Sequence, residues 1–129
     1  MGKATYRLRS RVYVAGPITL GDMDYNVGMA VAAGKTLLDH GYAPFIPHLS
    51  HFIEPHATWT RTPARYEQWL DLDRSFIAVC DALLRLPGDS RGADREVAWA
   101  VEIGIPVFHT VAVLFDRIPP TQEFEVSRS

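Results

Sequence analysis

Between Leu83 and Phe108 the sequence leaves little freedom in how it folds. Leu83-Leu84-Arg85-Leu86 is a short apolar run that breaks at Pro87-Gly88, a strong turn signal. A small-residue loop through Asp89, Ser90 and Gly92 follows, and Ala93 to Ile103 then reads as a helix. Gly104 and Pro106 stop it, and Pro106-Val107-Phe108 resumes a strand-like pattern. Strand, loop, helix and strand make a βαβ unit, and ligands of open α/β sheets bind outside the carboxyl ends of the strands. Ser90 and Glu96 fall at such an end.

The same grammar runs through the rest of the chain. Arg11-Val12-Tyr13-Val14-Ala15 is β-prone and ends at Gly16-Pro17-Ile18-Thr19, a tight turn that exposes backbone donors. Asp22 or Asp24 can cap a helix from about Tyr25 to His40, which Gly41 ends. Its small residues, from Gly28 to Gly34, allow close approach to a sheet. Tyr42 to Pro47 is a second strand, with prolines that mark an edge. Thr62-Pro63 reads as a cap followed by proline at the first helical position. The helix it opens carries Tyr66, Trp69, Leu70, Asp73, Phe76, Ile77 and Cys80 at three- and four-residue spacing. Asp73 therefore lies within an apolar stripe, whereas Asp71 points off it. Asp81 to Leu86 supplies the third strand and Pro106 to His109 the fourth; Val111 to Phe115 suits a strand or a helix. The alternation predicts an α/β fold, a flavodoxin- or Rossmann-like three-layer sandwich with a four- to five-stranded parallel sheet. At 129 residues it is expected to be a single domain, 1–129, with 1–10 and 119–129 as flexible tails.

Charge and composition narrow the partners. A net charge of −2 gives no basic footprint for a nucleic-acid polymer or an anionic membrane, but a helix N-terminus can still hold one phosphate. The single cysteine, Cys80, forms no intrachain disulfide. No apolar run approaches the ~20 residues of a membrane span, and Met1 to Arg11 lacks the apolar core of a signal peptide. A cytoplasmic location is expected.

From His48 to Pro63 periodicity fails. His48, His51 and His56 lie beside Phe52, Pro55 and Trp59. His48-x-x-His51 is half of a metal-ligand pattern, but no cysteine or second pair completes it, so no metal is expected. The aromatics suit either a lid over a flat ligand or a satellite hydrophobic cluster. No Gly-x-Gly-x-x-Gly follows the first strand, which sets aside a dinucleotide binder. Arg91 and Arg95 beside Ser90 are either phosphate ligands or solvated charges. On its own, Glu96 reads as a first-turn acid that complements the helix dipole.

Three segments in order change that balance. Tyr13-Val14-Ala15-Gly16-Pro17-Ile18, Asp73 eight residues before Asp81, and Ser90-x-Gly92-x-x-x-Glu96 resemble the nucleoside 2-deoxyribosyltransferase-like superfamily. The superfamily includes the deoxyribosyltransferases, nucleoside 5′-monophosphate N-glycosidases and compact phage and bacterial proteins, and the resemblance runs from about Arg11 to Phe108. It implies that Glu96 is the catalytic carboxylate that attacks the anomeric carbon. It further implies that Tyr13 orients Glu96 and that Asp73 contacts the sugar or assists departure of the base. Gly16, Pro17 and Ile18 would line the sugar-phosphate pocket, with Ser90 and Gly92 at the 5′ end, serine there favouring a monophosphate. The implied ligand is a small nucleoside or nucleotide, with no cofactor and a homodimer or larger homo-oligomer as the assembly. The chemistry is coherent: oxocarbenium character at the sugar calls for a carboxylate beneath it, and the departing base needs a proton. The competing expectation is a non-catalytic nucleotide-binding module that uses the same pocket.

Overall fold

Alternation along one strand sets the layering. In the computed structural model, which describes residues 2–53 and 63–128, Arg11–Ala15 forms β2. Successive side chains of a strand point to opposite faces. Val12 and Val14 enter one apolar cluster, Tyr13 and Ala15 another, all of them fully buried. The first cluster packs beneath α1 (Met23–Asp39) and α4 (Val111–Arg117); the second lies beneath α2 (Pro63–Ile77) and α3 (Arg91–Glu102). The result is helix, sheet, helix: the three-layer sandwich that the sequence predicts.

The sheet is parallel and four-stranded, in the order β3 (Ala43–Phe45), β2, β4 (Ala82–Arg85), β5 (Val107–Phe108). The first strand of the βα series thus lies inside, between the second and the third. The chain leaves it in one direction and later returns on its other side, so a crevice opens where β2 and β4 end, at Ala15 opposite Arg85. Asp22 caps α1 by accepting from the Tyr25 N–H at 3.1 Å. Ala30 and Gly34 let α1 sit close to the sheet, and a Cβ at Gly34 would run into Ile46.

One open alternative is settled and one expectation changes. Val111–Arg117 is helical, with Thr110 as its cap (Oγ1 accepts from the Val113 N–H at 3.3 Å). The flexible tails expected at 1–10 and 119–129 instead pair: β1 (Gly2–Arg9) runs antiparallel to β6 (Thr121–Arg128) in full register. Each segment alternates, and only together do the patterns have a use. Ala4, Tyr6 and Leu8 oppose Val126, Phe124 and Gln122 on one face. On the other, Lys3 meets Glu125 at 3.6 Å and Arg7 meets Glu123 at 3.1 Å. Buried Ser10 ties the ribbon to the body, its N–H donating to the Pro120 carbonyl (2.8 Å) and its Oγ–H to the Pro119 carbonyl (2.6 Å).

Of the stretch read as a lid, residues 47–53 form a 3₁₀ helix, η1 (Pro47–Ile53). Residues 54–62, including Pro55, His56, Trp59 and the Thr62 cap, lie outside the described residues.

Candidate active site

Three side chains from three elements converge at the crevice. Tyr13 is inward-facing on β2 and fully buried. Its hydroxyl donates to Glu96 Oε2, on the second turn of α3. Asp73 reaches in from α2 and shares hydrogen bonds with both. The apolar stripe of α2 explains the acid that interrupts it: α2 packs against α3 and the sheet, and Asp73 is the position that meets Tyr13 and Glu96 rather than another hydrocarbon.

Burial dominates the electrostatics. It pushes the Asp73 carboxyl up to about 7. It raises Glu96 to about 8, helped by the negative charge of Asp73 and opposed by the Tyr13 hydroxyl and the Arg85 guanidinium. Tyr13 is held well above its ordinary value by burial and by the two acids, so it remains a neutral donor. Two carboxyls this close titrate as a pair, and between about 7 and about 8 the pair carries one proton. Such a site holds one carboxylate and one carboxylic acid side by side. The Tyr13 O–H lowers the pKa of Glu96, but burial and the Asp73 charge keep it the higher of the two, so making Glu96 a carboxylate means passing the shared proton to Asp73.

Asp73 and Glu96, with Tyr13 buried behind them, border an open cavity of about 270 Å³. Asp73 and Glu96 form its polar floor, Gly16, Ile18, Thr19 and Leu20 one wall, and Tyr66, Trp69 and Leu70 of α2 the facing wall. The N-terminus of α3 completes the lining with Ser90, Arg91, Gly92 and Ala93. Ser90 is the helix cap: its Oγ accepts from the Ala93 N–H at 3.1 Å, which leaves its own O–H free to donate into the cavity. Free N–H groups and the helix dipole at this end favour an anion. Arg91 stands there; Arg95 is instead committed to Glu67, with two contacts at 3.0 and 3.3 Å, and clamps α3 to α2.

The loops that carry the walls are locked together. Arg85, at the end of β4, donates to the Leu86 carbonyl, to the Gly88 carbonyl at 2.9 Å and to Asp94 at 3.1 Å. Gly88 has φ +112°, and a Cβ there would come within 2.8 Å of the Pro17 ring. On the facing loop, the Asn26 side-chain amide donates to the carbonyls of Ile18 (3.1 Å) and Leu20 (2.8 Å). A Cβ at Gly92 would approach the Tyr66 hydroxyl to 3.2 Å.

The structure therefore brings together Tyr13, Asp73, Glu96, Gly16, Ile18, Ser90 and Gly92. Pro17 is different: it does not line the cavity, and its ring packs on Gly88. Tyr66, Trp69, Leu70, Thr19 and Leu20 escaped the sequence reading as site residues. The α2 residues carry the same three- and four-residue spacing as Asp73, so the helix face that delivers the acid also delivers this wall. His48 is buried, with Nε2 on the Pro17 carbonyl at 3.0 Å. Among the described residues no group of three or more His, Cys, Asp or Glu side chains could hold a metal ion, and no helix is long and apolar enough to cross a membrane.

Comparison with known proteins agrees with this architecture. The fold matches that of the 2-deoxyribosyltransferase of the psychrotolerant bacterium Bacillus psychrosaccharolyticus, described as a biocatalyst for nucleoside synthesis. The TM-score is 0.60 at 20% identity, over 76% of this chain and 69% of that one. No curated protein matches the chain. Residues 10–109 match the family described as Domain of unknown function (DUF4406), and they contain every element that builds the cavity. The chain belongs to this DUF4406 family, and its fold is that of a 2-deoxyribosyltransferase.

Proposed function

We propose that the protein breaks the N-glycosidic bond of a nucleoside 5′-monophosphate, with Glu96 as nucleophile, Asp73 as acid and base, and Tyr13 as the donor that orients Glu96. One observation carries the reading. A buried carboxyl pair, Asp73 and Glu96, the latter receiving the Tyr13 O–H, lines a cavity that the N-terminus of α3 also lines.

In the first step the Glu96 carboxylate attacks the anomeric carbon as the carbon–nitrogen bond breaks. The bonding pair leaves with the base nitrogen, which takes the Asp73 proton. In the second, water attacks the glycosyl ester, its proton goes to Asp73 and Glu96 departs as carboxylate. The balance is nucleotide plus water to free base plus sugar phosphate. A second base in place of water gives exchange. The Ser90 hydroxyl, the N–H groups of the first turn of α3 and Arg91 suit the 5′-phosphate, while Tyr66 and Trp69 offer aromatic faces for the base.

The test is chromatography of ribo- and deoxyribonucleoside monophosphates incubated with the protein, with and without an added free base, beside Glu96→Gln. Release of base by the wild type and not by the variant is expected. Exchange that requires the added base assigns a transferase. Ligand-dependent protection against heating without turnover would replace the catalytic reading with a binding module.

A further inference from the structure

Among the described residues, His48 is a buried polar side chain beside the site that the proposed chemistry leaves unused. It is 1% exposed, and Nε2 lies 3.0 Å from the Pro17 carbonyl oxygen. A carbonyl only accepts, so the ring must carry its proton on Nε2. Nδ1 is then a bare lone pair, buried and with no hydrogen-bond partner among the described residues. The opposite tautomer would set two lone pairs against each other and bury an N–H without an acceptor. The cation would bury the same orphaned donor; burial also lowers the pKa of the ring below that of ordinary imidazole. The ring is locked as neutral Nε2–H.

The carbonyl it holds sits at the hinge of the cavity wall. Gly16 and Ile18, on either side of Pro17, both line the cavity. No peptide bond is cis, so the Ile18 N–H points opposite to the Pro17 carbonyl, away from His48, and it makes no backbone hydrogen bond among the described residues. The Pro17 ring meanwhile abuts Gly88, whose carbonyl is held by Arg85, itself bound to Asp94 in the first turn of α3.

We propose that His48 is a positioning residue that, as the neutral Nε2–H tautomer, fixes the Pro17 carbonyl and thereby aims the Ile18 N–H and the Gly16–Thr19 wall at the bound ligand. Asn26 holds the same loop from α1, through the carbonyls of Ile18 and Leu20, so the wall is gripped from two sides. Without His48 the Pro17 carbonyl loses its partner and only the Asn26 grip on the segment remains.

The experiment compares three variants. Gln places an amide nitrogen near the position of Nε2, Asn places one near Nδ1, and Phe keeps volume without a donor. Nitrogen-15 NMR of the wild-type imidazoles is expected to show His48 protonated at Nε2 and bare at Nδ1 between about pH 6 and 8, where an ordinary histidine changes charge. Amide exchange over residues 16–20 is expected to speed up in His48→Asn and His48→Phe, with His48→Gln close to wild type. For the turnover described above, KM is expected to rise about two- to tenfold in Asn and Phe, the range of one hydrogen bond, and to be rescued by Gln. An Nδ1–H or cationic ring at neutral pH would overturn the proposal. So would equal loss in Gln and Asn, or unchanged exchange in Phe. Only the KM comparison rests on the proposed function. A wild type without turnover would sink that reading, while tautomer and exchange still decide this one.

Discussion

Replacing Glu96 by glutamine should make the protein more stable, and increasingly so as pH rises. Glu96 is 8% exposed, and burial lifts its carboxyl from the ordinary 4.5 to about 8. Its folded pKa lies above its unfolded one, so the folded state binds the proton more tightly. The stability this gives is fully present below the unfolded value and is lost as pH climbs through the folded one. Glutamine has the same shape, can accept from Tyr13 and carries no such dependence. Linkage makes the gain of the variant small near pH 5 and on the order of a few kcal/mol near pH 8. Near pH 8 this corresponds to a rise in Tm of roughly 10–20 °C for a chain of this size. Urea denaturation of both proteins at several pH values from 5 to 9 reads the gap directly and requires no substrate. A gap that stays flat with pH, or a variant less stable than wild type at pH 8, would refute the buried, proton-sharing pair on which the site is built.

Three more outcomes follow from the geometry. The pH profile of kcat/KM should be bell-shaped with limbs near 7 and 8, since the pair must carry one proton, which Asp73 holds when Glu96 attacks; a sigmoid with one limb would count against a shared proton. Arg91→Ala should raise KM for a nucleoside monophosphate about tenfold and leave that of the dephosphorylated nucleoside unchanged, the loss of one charge-assisted contact at the α3 terminus. Gly88→Ala should lower stability by about 1–3 kcal/mol in thermal melts, because φ is +112° and the new methyl meets the Pro17 ring.

What could be read from sequence was local or periodic. Helix ends announced themselves through Asp22, Gly41 and Gly104, whose side chains or missing side chains act on neighbouring backbone. Asp73 stood out as an acid in an apolar stripe, whereas Tyr13 and Glu96 were singled out only through the resemblance of three ordered segments to a known family. Pairings across the chain were out of reach. Tyr6 faces Phe124 only because the body between them sets Ser10 against Pro120, and neither segment carries enough apolar surface to predict a strand alone. The role of His48 stayed hidden for a related reason. Histidine spacing suggests ligands, whereas the partner of this ring is a main-chain carbonyl, which leaves no mark on the pattern of residue types.

The ribbon of β1 and β6 also bears on the order in which the chain assembles. Its outermost pair, Gly2 with Arg128, spans nearly the whole sequence, and closing such a loop from an unfolded chain is slow and entropically costly. Once the parallel sheet has formed, however, Ser10 and Pro120 are already hydrogen-bonded, and the remaining strands start side by side. Pairing can then proceed one residue at a time from Arg9–Thr121 outward, on the timescale of a local hairpin. Kinetically, the ribbon is a hairpin whose turn is the folded domain. It should form last and fray first, leaving the sheet and its cavity intact beneath it.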